Sequence, residues 1–215
     1  MLNFLFQIVK LILLLIFPFI LLIRGAVYFH VSHYASPWVA IVGGLLLTVV
    51  ILFIYFSFLY GKMSGKFGNK GAIKRRFIIA FLFVFLYAVH GIFYYSGKNL
   101  KNPNLKSEIT KVHPILRLSV STVIHLDKSL IITDTNRVPE DYKKMGLKSK
   151  KHSLHYVQKN GYAHALDLRT KNRSELRNNL LIYYFKLMGF QTLRHVGTAD
   201  HLHISLKSHD RPYAI

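Results

Sequence analysis

Three long stretches of the chain are almost unbroken in apolar residues, and all three lie in its first half. Leu2 to Ile23 is interrupted only by Asn3, Gln7 and Lys10; Val39 to Tyr60 and Phe77 to Tyr95 follow. A bilayer core needs about 20 apolar residues in helical form, so each stretch predicts a transmembrane helix. No small-residue cleavage pattern follows Arg24, which favours an uncleaved first span over a signal peptide. Gly43-Gly44 marks a point in the second span where another helix can come close. Tyr94-Tyr95 suits an interfacial aromatic belt, and His90 reads as a packed, neutral histidine near the end of the third span.

Beyond Tyr95 the pattern changes. Residues 96–112 are polar with Gly and Pro and read as a tether. Pro114 suits the first turn of a helix, and Ile115, Leu116, Leu118, Val120, Val123 and Ile124 give that helix a broad apolar face. Leu130 to Thr133 is a short, β-branched run, the mark of a buried strand. Pro139 to Met145 predicts a short helix stopped by Gly146. Ala163 to Arg169 alternates as a strand. Asn172 with Glu175 predicts a capping box opening a helix through Leu180, Tyr183, Tyr184 and Leu187 to Gly189. Phe190 to Val196 and His201 to Leu206 predict two more strands, joined through Gly197-Thr198. The organisation is therefore a membrane domain over 1–96 with three spans, a tether over 97–112, and a small α+β domain with an antiparallel sheet over 113–215.

Charge sets the orientation. All nine acidic residues lie at or beyond Glu108, and the loop between spans two and three carries Lys62, Lys66, Lys70, Lys74, Arg75 and Arg76. By the positive-inside rule that loop is cytoplasmic. The third span then delivers the α+β domain outside the cytoplasm, which implies a multi-pass protein of the cytoplasmic (inner) membrane. A net charge of +20 suggests an anionic neighbour. No helix-turn-helix, finger or stacking-platform motif is present, so nucleic acid is not expected as a partner. The chain has no cysteine, so any zinc must be held by histidine and carboxylate.

The chemistry-bearing residues concentrate between His152 and Ser205. His152-Ser153-Leu154-His155 opens the stretch, Ala165-Leu166-Asp167 lies in its middle, and Asp200-His201-Leu202-His203 closes it. Two histidines and an aspartate that converge make a three-ligand zinc set with a fourth position for water. On a strand, His201 and His203 share one face with Leu202 packed behind them.

Ser153-Leu154-His155-Tyr156, Ala165-Leu166-Asp167-Leu168 and His201-Leu202-His203 occur in the order Ser-x-His, Ala-x-Asp, His-x-His. That order resembles zinc D-Ala-D-Ala carboxypeptidases, phage L-alanyl-D-glutamate peptidases and Hedgehog signalling domains. Ile132-Thr133-Asp134-Thr135-Asn136-Arg137-Val138-Pro139-Glu140 is similar to the Ile-Thr-Ser-Gly-Tyr-Arg-x-Pro-Glu segment of the same superfamily. The resemblance covers about residues 113–206 and none of the spans. It implies His155, Asp167 and His203 as zinc ligands and Asp200 as general base. It also implies Arg137 on a substrate carboxylate or the scissile carbonyl, and His201 on the substrate or tetrahedral intermediate.

One departure stands out. Eleven residues separate His155 from Asp167 where the superfamily usually has six, and Val157 to Gly161 looks like the insertion. His164 and His152 are the alternative first ligands, although three residues from Asp167 on a strand would turn His164 to the opposite face. The expected activity is zinc-assisted hydrolysis of peptidoglycan stem peptides, as a carboxypeptidase or endopeptidase. The alternatives are a catalytically idle, zinc-stabilised Hedgehog-like binding module and a membrane scaffold with incidental histidines.

Overall fold

A computed structural model describes all residues except 1, 67, 145, 147–151, 198 and 215, and all side chains within these bounds except those of 2, 3 and 9–15. The expected contributions of Met145, of Thr198 and of the Lys10 side chain thus lie outside the described residues.

The apolar runs fold as three long helices: α1 (Leu2–His33), α2 (Pro37–Ser64) and α3 (Lys70–Phe93). Segments Ile16–His33, Pro37–Ser64 and Lys70–Phe93 are long and apolar enough to cross a membrane. The first helix does not stop at Ile23 but continues through Arg24 to His33, because nothing from Arg24 to His33 interrupts the helical pattern. Only Tyr34, Ala35 and Ser36 join it to α2, so the two helices pack as an antiparallel hairpin. Gly44 permits the closest approach: a Cβ there would sit 2.5 Å from the carbonyl oxygen of Leu22 and 2.8 Å from the amide of Ala26. Any larger residue would drive the helices apart.

Residues 97–112 are not a loose tether. They form the short helix α4 (Leu105–Glu108) between single 3-10 turns, and Leu100, Leu105, Ile109 and Val112 are buried. Polar composition hid four apolar anchors spaced along the segment. The domain proper follows, with helices α5 (Pro114–Leu126), α6 (Pro139–Lys144) and α7 (Glu175–Met188). Its strands are β1 (Ile132–Asp134), β2 (Ala165–Arg169), β3 (Gln191–His195) and β4 (His201–Ser205). The sheet is antiparallel throughout, in the order β1-β2-β4-β3.

Helix α5 is the keystone. Every residue from Pro114 to Val123 is buried, where the sequence predicts one apolar face, because the helix is enclosed between the three long helices and the rest of the domain. A helix covered on all sides needs apolar or satisfied residues all round. Most of its polar groups are met: Thr122 bonds the Leu118 carbonyl, Arg117 Nη1 donates to the Ile92 carbonyl, and Tyr184 Oη donates to the Ser119 carbonyl, while Arg117 Nε is buried without a partner.

Helix α7 corrects two expectations. Asn172 sits at φ 63° in the left-handed region, and the cap is Ser174, whose hydroxyl accepts from the Arg177 amide. The position three residues past the cap is therefore Arg177 and no capping box forms. The buried face is Leu181, Phe185 and Met188, while Leu176, Leu180, Tyr183 and Leu187 are exposed. At the far end of α3, His90 is exposed rather than packed, and its ring lies against Tyr94 and His125. The aromatic pair divides, Tyr94 outward and Tyr95 buried on the Arg117 carbonyl.

Candidate functional site

Strands β2 and β4 bring the central residues together. Their register pairs Asp167 with His203 and Arg169 with His201. Leu202 and Ile204 are fully buried on the other face of β4, so alternation fixes where the two histidines point. His203 Nδ1 lies 2.9 Å from Asp167 Oδ1 and 3.2 Å from His155 Nε2, and His155 Nε2 lies 3.3 Å from Asp167 Oδ1. Three donor atoms on a tetrahedral ion with bonds of about 2.0–2.1 Å would stand about 3.3 Å apart. The triangle is close to that size, and all three residues are buried.

The chemistry of the donors fits a metal. His155 Nδ1 donates to the Thr135 carbonyl, which leaves Nε2 as the lone pair and orients the ring, the usual outer support of a ligating histidine. His203 presents Nδ1, and its Nε2 is buried without a hydrogen-bond partner. Burial works against a charged carboxylate, yet the adjacent His155 and His203 hold Asp167 well below the usual range. Asp167 is thus ionised and acceptor-only across the neutral range.

The insertion is accommodated as a turn. Val157 pairs with Ala163, the Gln158 amide donates to the Tyr162 carbonyl, and Gly161 takes φ 83° where the chain reverses. A left-handed φ of that size favours glycine. The extra residues project as a hairpin, and His155 keeps its place. His152 is exposed outside the cluster. His164 is turned away from Asp167, as strand alternation requires, and is absent from the cluster of His155, Asp167 and His203.

A cleft of about 570 Å³ opens beside the cluster, lined by Asp167 but not by His155 or His203. Arg137, His201 and Asp200 line it as well, with Lys101, Arg169 and Lys171. His201 is partly exposed there, with Nδ1 on the Ala199 carbonyl and Nε2 3.8 Å from Asp167 Oδ2. Arg137 is engaged within the protein: Nε donates to Asp134 Oδ2 at 2.7 Å and Nη2 to Asp167 Oδ2 at 2.9 Å. Burial opposes its charge, but Asp134 and Asp167 outweigh that and raise its pKa. Asp134 is therefore, with Asp167, one of two carboxylates that hold Arg137.

Asp200 immediately precedes β4, so it escapes the strand alternation that would otherwise turn it from the cleft. Its carboxylate accepts from Thr170 Oγ1 and from Arg194 Nη2, the latter at 3.0 Å. Those bonds hold it below the ordinary carboxylate range. Arg194 is held in turn by Glu175 at 2.6 Å. Sequence reasoning missed Arg194, which lies in β3, and Thr170, which directly follows β2. No family model, curated protein or solved structure matches this chain.

Proposed function

We propose that the protein is a membrane-anchored zinc peptidase that hydrolyses peptidoglycan stem peptides, and that it belongs with the D-Ala-D-Ala peptidase and Hedgehog-type proteins its motifs resemble. The observation that carries this reading is the convergence of His155, Asp167 and His203 within bonding distance of one ion, beside a cleft that Asp167 lines. Zinc held there supplies Lewis acidity and a water with its pKa lowered towards about 7.

The chain's own residues do the rest. Asp200 takes a proton from the attacking water and returns it to the leaving amine. His201 lines the cleft with Nδ1 donating to the Ala199 carbonyl, so it is as the imidazolium that it donates through Nε2 to the carbonyl oxygen of the substrate as charge develops. Arg137 holds Asp167 through Oδ2 and keeps it ionised, a positioning role rather than the direct substrate contact that the motif alone implies. Lys101, Arg169 and Lys171 give the cleft a cationic wall for the carboxylates of a stem peptide. The basic residues gathered around the α2–α3 turn, from Lys62 at the end of α2 to Arg76 at the start of α3, favour a multi-pass topology in the cytoplasmic membrane with the sheet domain on the cell-wall side.

A second reading, a zinc-stabilised binding module without turnover, is favoured by one observation. Asp200 is tied to Arg194 and Thr170, and a carboxylate held below its usual pKa is a weak base. Incubating the zinc-loaded full chain with defined muropeptides, with mass analysis of products, separates the two. Cleavage that disappears in His203→Ala supports the peptidase; tight zinc binding with no cleavage of any muropeptide supports the binding module.

A further inference from the structure

A second histidine cluster lies on the other side of β2, where no motif directs attention. His30 comes from the last turn of α1, His113 is the residue capping α5, and His164 enters β2. Each offers one ring nitrogen, these nitrogens lie within 4.8 Å of one another, and all three residues are buried. The ring centroids of His113 stand 4.6 Å from His30 and 4.7 Å from His164.

The polar bookkeeping is incomplete as it stands. His30 Nδ1 donates to the Ala35 carbonyl at 2.8 Å, which leaves Nε2 as a lone pair, and that atom is buried without a partner. His113 Nε2 is likewise buried and unpartnered. Native proteins seldom leave two such atoms together. His164 Nδ1 reaches the Leu206 carbonyl at 3.3 Å, and its Nε2 meets only the side-chain amide of Asn160, from an exposed loop position. His113 Nδ1 accepts from the Ile115 amide at 3.3 Å, a long bond. Binding an ion through Nε2 moves the His113 proton to Nδ1 and gives up that one weak cap.

We infer that His30, His113 and His164 form a second metal site, for zinc, which fastens the end of α1 to the sheet that carries the first site. The donor set selects the ion. Three imidazoles with no carboxylate or carbonyl among them suit a borderline transition metal and not calcium or magnesium. Ligating histidines must be neutral, and burial pushes His113 well below its usual range and His164 to about 4. The ligands come from residues 30, 113 and 164, so one ion closes two long loops and joins a candidate membrane helix to the domain. The inference does not depend on the peptidase reading, because the two clusters share no residue.

The test uses the full chain in detergent, without a polyhistidine tag, stripped by chelator and reloaded with zinc or cobalt. The His155→Ala/His203→Ala double variant should still bind one equivalent, with X-ray absorption reporting a nitrogen shell at about 2.0–2.1 Å. Adding His164→Gln to that background should reduce metal to none. Failure of the double variant to hold any metal overturns the inference, as does metal that persists after both His164→Gln and His30→Gln. If a glutamine variant fails to fold, the double variant decides alone. If wild type binds a single equivalent that survives in the double variant, the second site stands and the first falls.

Discussion

Asp167 and His203 are register partners on neighbouring strands, with Oδ1 and Nδ1 2.9 Å apart. The other oxygen of the same carboxylate takes Arg137 at 2.9 Å. One buried group therefore joins the metal-ligand candidates to the cleft wall. Removing one partner from a buried ion pair costs about 3–5 kcal/mol. Asp167→Asn should lose the zinc of this site and lower the melting temperature, since Arg137 keeps only Asp134. Metal analysis and thermal melts check this, with His152→Ala as the silent control. Stoichiometric zinc at this site in Asp167→Asn would remove Asp167 from the ligand set.

In the proposed mechanism Asp200 is the general base. Asp200→Asn should keep the zinc and the fold while slowing hydrolysis at least about a hundredfold, within the about 10²–10⁴-fold typical of acid–base groups, with little change in KM. Near-normal hydrolysis by that variant would transfer the base to another group. Loss of zinc would make Asp200 a structural residue.

Much of this site could be read from residue order and strand period. His201 and His203 share a face because Leu202 between them is core, and His164 is excluded from the Asp167 face by the same alternation. The hairpin after His155 was legible only as an inserted length; its closure depends on the Val157–Ala163 pairing and on Gly161 at φ 83°. Other features have no local signature. The engagement of Arg137 by Asp134 depends on side-chain reach. The His30–His113–His164 cluster is assembled from three segments with no common motif. Residues 97–112 look polar because their four buried residues are spaced among charged ones. Asn172 lost the cap to Ser174 because its backbone is left-handed.

Topology gives a third test. The helix ends at His33, Pro37 and Phe93 meet the domain, with Trp38 Nε1 donating to Tyr162 at 3.1 Å and stacked on Phe93. Over the 28 residues of α2 the helix runs about 42 Å, which carries the basic loop to the opposite end. A reporter active only in the cytoplasm should be silent when fused after Ile215 and active when inserted at Lys66. Strong activity after Ile215 would reverse the orientation and remove a cell-wall substrate.

The metal-free protein should be acid-sensitive in a defined window. Burial holds His164 at about 4, against an ordinary value near 6.5. Between those values the unfolded chain carries a proton that the native one refuses, so stability falls as pH drops from about 6.5 to about 4. The contribution is about 3 kcal/mol. Denaturation of chelator-treated protein across that range should show the slope, and His164→Gln should make it shallower, the remainder coming from the equally buried His113. A wild-type profile level from pH 7 to 4 would contradict the buried, neutral state of this ring.

The enclosure of α5 has a practical consequence for dissection of the molecule. Leu118 Cδ1 lies where a Cβ on Gly91 would come within 2.7 Å, Tyr87 shares a hydrogen bond with Thr122, and the guanidinium of Arg117 sits over the Phe93 ring. Cutting the chain after Tyr95 would not release a ready-made soluble domain. It would peel the lid from the helix at its centre, expose Leu118 and its neighbours to water, and strand Arg117 without Ile92. The hydrophilic half should therefore precipitate when expressed alone and stay in solution when residues 1–95 are supplied in trans, so that the two halves behave as one folding unit divided by a membrane surface.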